Sequence, residues 1–313
     1  MARRALVAGP REVLAGLAAV LPGAEAMSEP RVLPRGFGSE AWLVETSGGT
    51  LVVKIALRWP SGERQANAAE AARLAAAQHV LTPQALAVAP PSPIFGSRAY
   101  SVWEYLDGLD AEEALADMSQ PEVVRFFTDL GSTLARLHSR VSARYAGAVT
   151  GSEGEASWTE AVADRLARLE ARYLDAGLRV DDRTRQAAAR IKDLADQVSP
   201  LSEAVLVHSD MYLDNLLVSS DGSPVVLDFE HARFADAGVD FVKPELLISD
   251  RYPQAPDAIF DAYQQARSVP EIRTRILLAL GLELVWGIPF FHQWKDDDVV
   301  DLYRTRLMHW LSQ

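Results

Sequence analysis

The chain has no cysteine in its 313 residues, which excludes disulfides, zinc–thiolate sites and a cysteine nucleophile and suits a reducing, cytoplasmic setting. Lysine is scarce, with only four in an arginine-rich sequence. Basic residues are the minority, 31 against 43 acidic for a net charge of −12, which speaks against a nucleic-acid partner. No apolar run reads as long enough to span a bilayer, so a soluble protein with no membrane partner is expected. Arg3-Arg4, the apolar run Val13 to Leu21 and Ala24-Glu25-Ala26 imitate a signal peptide, but Pro10-Arg11-Glu12 interrupts the approach; an amphipathic helix from about Pro10 to Leu21 fits better. There is no low-complexity tract or internal repeat. What is present is enough apolar residue, 49%, to build one large domain or two medium ones.

The charge is unevenly spread: residues through Asp107 carry a net +1 and the remainder −13. An acidic second part would draw in a cationic ligand through its long-range field. The densest chemistry also lies there, in Val205-Leu-Val-His208-Ser-Asp210-Met-Tyr-Leu-Asp214-Asn215-Leu-Leu-Val218, a turn at Asp221-Gly222, then Val225-Val226-Leu227-Asp228-Phe229-Glu230. Apolar triplets flank a polar loop on both sides, so two short strands present His208, Asp210, Asn215 and Asp228 together. Carboxylates in such a loop need a metal, a proton to take, or both. Phosphoryl transfer to a hydroxyl needs this set: Asp210 to orient and deprotonate the acceptor, Asn215 and Asp228 to hold magnesium, and His208 to orient the loop.

The first part reads as strands. Val32 to Val44 and Leu51 to Ile55 are joined through Gly48-Gly49, and Gly36 and Gly38 allow backbone N–H groups, with Ser39 beside them, to approach a nucleotide. Lys54 sits inside an apolar strand, where a charge is costly unless a ligand or partner neutralises it. It is read as gripping phosphate, against the alternative of an edge-strand lysine facing water. The Ala-rich segment Glu63 to Val80 is a helix able to supply a carboxylate to hold Lys54; Glu70 is the candidate and Glu63 its competitor.

The His-x-Asp-x-x-x-x-Asn loop followed by Asp-Phe resembles the aminoglycoside phosphotransferase and choline kinase-like family of small-molecule kinases. The resemblance implies an α+β, bilobal protein-kinase-like fold, with residues 1–106 as a small lobe of antiparallel sheet plus helix and 107–313 as a larger, mainly helical lobe. It implies ATP or GTP with Mg2+ as cofactors, and adenine paired with backbone near Glu104 to Leu106. Ser209 departs from the family pattern, standing where Gly is usual and adding a Cβ at a tight turn; Ala235 and Ala237 flank Asp236 where Gly and Pro are common.

Beyond Asp107 the spacing predicts helices over Glu122–His138, Trp158–Leu174, Asp181–Val198, Ile272–Trp286 and Val299–Leu311. His138 reads as a core histidine. Trp286 and the aromatics after it are either a core anchor or an acceptor-pocket wall. Asp296 to Asp298 either meet ammonium groups or begin a helix. Asp214, Glu230, Asp250, Trp286, Asp296 and Asp297 are the candidate acceptor contacts, and the expected acceptor is a cationic, aminoglycoside-type antibiotic inactivated by O-phosphorylation. A macrolide, a choline-like amine, homoserine or a sugar are the alternatives within the family. A metallophosphoesterase built on His208, Asp210, Asn215, Asp228 and His231, or a non-catalytic nucleotide-binding module, are alternatives of another class. A monomer or homodimer is expected.

Overall fold

The computed structural model describes residues 6–33, 38–145, 147–151 and 154–313. The fold is mixed α+β, and the chain divides into two compact units: residues 6–111 with 215–232, and 112–214 with 233–313. The segment carrying Asn215 and Asp228 is therefore part of the first unit, whereas the sequence reading set both residues in the second.

In chain order the first unit begins with α1 (Pro10–Val20), β1 (Arg31–Val32), β2 (Ser39–Thr46), β3 (Gly49–Ala56), α2 (Glu63–Ala76), β4 (Ala85–Ser92), β5 (Arg98–Glu104) and β6 (Leu109–Asp110). Its five-stranded antiparallel sheet has the order β1-β2-β3-β5-β4. The β2–β3 hairpin closes at Thr46↔Gly49, where Gly49 takes φ +121, a conformation that glycine adopts without strain. Alternation sends Val53 and Ile55 to one face of β3, into a core with Val13, Leu17, Trp42, Phe95, Tyr100 and Val102. Lys54 is sent to the other. α1 is a packed element of that core, as its amphipathic spacing suggests.

The second unit opens with α3 (Ala111–Asp117) and α4 (Gln120–Leu137), which buries Val123, Phe126, Phe127, Leu130, Leu134 and Leu137 at helical spacing. Glu122 caps it by accepting the Ser119 N–H at 2.9 Å. Then come β7 (Val141–Ser142), α5 (Trp158–Ala167), α6 (Leu169–Asp175), α7 (Asp182–Gln197) and β8 (Ala204–Val207). Trp158 to Leu174 thus forms two helices rather than one, broken at Arg168. The chain returns to the first unit for β9 (Leu216–Val218) and β10 (Pro224–Val226), a hairpin that β6 extends. It re-enters the second with β11 (Arg233–Ala235), paired to β8, followed by α8 (Ala255–Ala266), α9 (Ile272–Gln293) and α10 (Asp297–Ser312).

Two expectations are corrected in α9. The helix does not end at Trp286 but runs through Pro289 to Gln293, although proline has no N–H to donate to the Val285 carbonyl. Burial of Val285, Ile288 and Pro289 outweighs that local loss. At 22 residues and mean hydropathy 1.5, α9 also has the length and apolarity of a spanning helix, contrary to the expectation that no run does; 61% of that apolar window is buried. Its glycines let α10 come close. A Cβ at Gly287 would fall 2.1 Å from the Tyr303 ring. Gly287→Ala should therefore lower stability by about 1–3 kcal/mol through overpacking, read as a fall in the thermal unfolding midpoint; an unchanged midpoint would mean the two helices can separate at that level without loss.

Candidate active site

The loop after β8 is held by one buried carboxylate. Asp240, 1% exposed, accepts the His208 N–H at 2.8 Å and the Ser209 N–H at 2.6 Å through its two oxygens, and faces His138 Nε2 at 3.1 Å. His138 in turn meets the Tyr263 hydroxyl through Nδ1 at 3.0 Å, so it is a core histidine with both ring nitrogens engaged. Burial pushes the Asp240 carboxyl up, but the His138 hydrogen bond and the neighbouring histidine rings outweigh it and leave its pKa below the ordinary aspartate range. His208 is fully buried, and its Nδ1 accepts the Asp210 N–H at 3.3 Å. The expected loop-orienting histidine is thus anchored at its backbone and itself anchors Asp210. Ser209 is forced to φ +69. That left-handed conformation costs a non-glycine residue about 1–2 kcal/mol, and it is the physical content of the departure from glycine at this position.

Asp210 also faces Lys243 Nζ at 3.8 Å. Lys243 is buried, 2.7 Å from Glu283 Oε1 and 3.0 Å from the Tyr303 hydroxyl, which donates to the same oxygen at 2.9 Å. Burial would strip the Lys243 proton, but Glu283 first, then Tyr303 and Asp210, reverse this and hold its pKa well above the ordinary lysine value. For Glu283, burial pushes upward and Lys243 overrides it, taking the carboxyl down to about 2. The pair is ionised throughout the neutral range.

In the first unit, Lys54 lies on β3, bordered by β2 and β5, and so is not an edge-strand lysine. Its Nζ stands 3.2 Å from Asp228 Oδ1 and 5.7 Å from the centre of the Trp103 ring. Asp228 itself takes φ +60 at the start of a 3-10 turn, and Asn215, 8% exposed, ends the turn Leu213–Asn215 and accepts the Leu227 N–H on its carbonyl at 2.9 Å. Glu70 is a correction. Its carboxylate takes the Arg73 guanidinium at 2.7 and 2.9 Å, while Lys54 pairs with Asp228. An i,i+3 partner on the same helix is met without tertiary positioning, which is why the expected pair is replaced.

Gly36 lies outside the described residues. Gly38 accepts the Leu57 N–H on its carbonyl at 2.9 Å, and a Cβ there would fall 2.6 Å from Glu230 Oε1. Ser39 opens β2 opposite Ala56. Glu230, expected to contact an acceptor, is instead buried against Gly38 with its carboxylate 3.4 Å from His231 Nε2. Glu104 ends β5, its N–H bound to the Gln84 carbonyl at 3.0 Å, and its carboxylate accepts the Gln84 N–H at 3.1 Å. That N–H is committed to the sheet; Leu106 lies past the strand.

The remaining acceptor candidates are dispersed. Asp214 is exposed where the chain leaves the second unit, and Asp250 is exposed and paired with Arg306. Asp296 and Asp297 begin α10, Asp297 with Asp298 in its first turn, as the helix-start reading has them. Two guanidinium groups lie over the Trp286 ring, Arg172 at 4.5 Å and Arg165 at 4.7 Å from its centre. Sequence reasoning gave no role to Asp240, Lys243, Glu283 or Arg165. A signal existed for three of them: each of Asp240, Lys243 and Glu283 is a charge inside an apolar run, as Lys54 is. Among the described residues, no three of His, Cys, Asp and Glu converge as a metal-binding group.

The profile of the phosphotransferase enzyme family, APH, matches residues 29–276. The chain belongs to that family. It is accordingly a phosphotransferase. No curated protein matches the sequence. Among solved structures, the aminoglycoside phosphotransferase APH(4)-Ia superposes with a TM-score of 0.75 at 14% identity, covering 96% of this chain and 98% of that one. A putative fructosamine-3-kinase from Haemophilus somnus 129PT gives 0.67 at 15% identity over 95% and 97% of the two chains. A macrolide 2'-phosphotransferase type I gives 0.62 at 18% identity over 94% and 95%. At such identities the likeness is one of fold.

The depressed carboxyls have a consequence for pH. Asp240 and Glu283 have folded pKa values below their unfolded ones, so the stability they contribute is present above the ordinary carboxylate range, roughly pH 4, and lost as pH falls through the folded values. Lys243, raised, contributes below the ordinary lysine value and loses that contribution only above it. Urea midpoints should therefore fall on acidification from about pH 5 to pH 3, and Asp240→Asn should lower the neutral-pH midpoint while making the acid limb shallower. An acid limb of unchanged slope in the variant would remove Asp240 from this account.

Proposed function

We propose that the family member described here is a small-molecule kinase that moves the γ-phosphate of ATP or GTP to an acceptor hydroxyl, with Asp210 as the base. The observation that carries the reading is the Lys54–Asp228 pair. A lysine on the interior strand β3 and an aspartate 174 positions later meet at 3.2 Å, and the aspartate follows the β9–β10 hairpin that Asn215 immediately precedes. Lys54 has no packing purpose on an apolar strand, and both charges have a use in handling phosphate.

Asn215 offers an amide oxygen and Asp228 a carboxylate, hard donors of the kind magnesium takes, the rest of its shell being water and phosphate oxygen. Bound there, magnesium would neutralise phosphate charge. Lys54 would hold phosphate oxygens through its ammonium, releasing Asp228 as it does so. Asp210 would accept the hydroxyl hydrogen bond and then the proton as the acceptor oxygen bonds to phosphorus. The bond from the γ-phosphorus to the bridging oxygen breaks, leaving nucleoside diphosphate and a phosphate ester. His208 and Asp240 would act by fixing Asp210, not by exchanging protons with the acceptor. Backbone groups between Glu104 and Leu106 would meet the base. The solved neighbours support nucleotide use, since a thermostable mutant of APH(4)-Ia has been crystallised with ADP and hygromycin B.

An aminoglycoside-type acceptor, and with it a resistance role, follows from the acidic balance of the second half. The charges nearest Asp210 do not add to that argument, because Glu283 is already neutralised by Lys243. Asp210→Asn should abolish phosphate transfer while leaving nucleotide affinity within a few-fold, measured by ADP release beside nucleotide titration. Loss of nucleotide binding instead would make the residue structural. Lys54→Ala should raise KM for the nucleotide about tenfold or more, the effect of losing one charged phosphate contact, and unchanged nucleotide kinetics would end its phosphate role.

A further inference from the structure

A small pocket in the second unit begins one residue from Asp210. Its wall is Trp158, Arg165, Ser209, Arg233 and Glu283, with Val239, Val242, Ala279 and Leu282 completing it. About 20 Å³ is free, room for roughly one water-sized group. Its charge is what the overall composition would not suggest. Among the described residues two guanidinium groups line it against one carboxylate, and that carboxylate is held at 2.7 Å by Lys243. Arg172 adds a further cation behind Trp286.

Three groups in this wall call for an acceptor of hydrogen bonds. Among the described residues Arg165 makes no hydrogen bond or ion pair; its guanidinium is only stacked on the Trp286 ring at 4.7 Å. Trp158 Nε1 is buried without a partner, and an indole N–H can only donate. Ser209 Oγ is buried without a partner as well. Leaving such groups unsatisfied is costly. Burial first, then the neighbouring Arg233, pushes the Arg165 pKa down to about 9, although it remains a cation at neutral pH. A guanidinium, an indole N–H and a hydroxyl able to donate, around a space of this size, suit the tip of an oxyanion. They repel an ammonium.

We infer that the acceptor carries an oxyanion, a carboxylate or a phosphate, seated against Arg165 with Trp158 Nε1 and Ser209 Oγ donating to it, so that its hydroxyl is presented to Asp210. This rests on the phosphate-transfer reading and keeps Asp210 as the base, but replaces the cationic acceptor that the overall charge suggests with an anionic one, because Arg165 and its neighbours are the groups the acceptor would touch. The transfer itself is unchanged, the hydroxyl proton going to Asp210 and nucleoside diphosphate leaving. The left-handed turn that precedes Asp210 also places Ser209 in the pocket wall.

The full chain is titrated with acetate and, separately, with inorganic phosphate at constant ionic strength against chloride, binding being read by calorimetry and by tryptophan fluorescence. The same titrations are run on Arg165→Gln, Arg165→Lys and Lys54→Ala. Saturable binding of at least one oxyanion is expected, weakened tenfold or more by Arg165→Gln, less by Arg165→Lys, and unaffected by Lys54→Ala. Preference for acetate assigns a carboxylate, preference for phosphate a phosphorylated acceptor. Binding no tighter than that of chloride, or equal in Arg165→Gln, overturns the inference, as does binding lost in Lys54→Ala alone, which belongs to the nucleotide phosphates. ADP release with glycerate, ribose 5-phosphate, glycerol, ribose and kanamycin separates the two claims. Release with kanamycin or the neutral compounds but not the anionic ones overturns the oxyanion and leaves the kinase standing. Failure to bind ATP at all fells the kinase reading whatever the oxyanions do.

Discussion

Everything proposed for Asp210 depends on a carboxylate that never meets a substrate. Asp240 is buried, and a buried carboxylate is tolerable only if hydrogen bonds replace the water it has lost. It obtains them from two consecutive backbone N–H groups, those of His208 and Ser209, and from the His138 ring. Two adjacent N–H groups can reach two oxygens of one carboxylate only if the backbone turns sharply between them. That turn is the left-handed Ser209, and it points the next residue, Asp210, out of the strand. The loop's conformation is thus the price of satisfying one buried charge. His208 adds the last constraint by accepting the Asp210 N–H.

The same unit repeats this logic around Lys243. A buried ammonium is held by Glu283 and by Tyr303, whose ring is seated where Gly287 leaves room between α9 and α10. Glu283, the one carboxylate among the described residues of the neighbouring pocket wall, is thereby engaged by Lys243, while Arg165 is stacked on the Trp286 ring. A chain with a net charge of −12 therefore presents a locally cationic pocket beside its proposed base. Net charge governs long-range attraction and solubility, while the first contacts of a ligand are set by the few groups it touches.

Much of this was open to reading in the residues themselves. The hairpin around Asp221-Gly222, the strand bearing Lys54, the amphipathic α1 and α4 and the core character of His138 all follow from periodicity and turn chemistry, which act over a few neighbouring residues. The misreadings share a cause. The kinase pattern offers Glu70 to Lys54, yet its carboxylate meets Arg73 three residues away; Glu230 has the spacing of an acceptor contact, yet lies buried against Gly38; the apolar spacing of α9 points to an end at Trp286, yet the helix continues through Pro289. In each case a local competitor or a packing contact decided, and neither is visible in spacing.

By itself, then, the sequence determined the chemistry available: a loop with His208, Asp210 and Asn215, a strand ending in Asp228, and a lysine placed where only a ligand or partner could justify it. Those are properties of residue type and short-range order. Tertiary structure alone decided which charges neutralise one another, pairing Lys54 with Asp228, Lys243 with Glu283 and Asp240 with the loop's own backbone, and leaving Arg165 to an indole ring. Such pairings join residues far apart in the chain, and their energies depend on burial and on distances of a few ångströms, quantities that no linear spacing encodes.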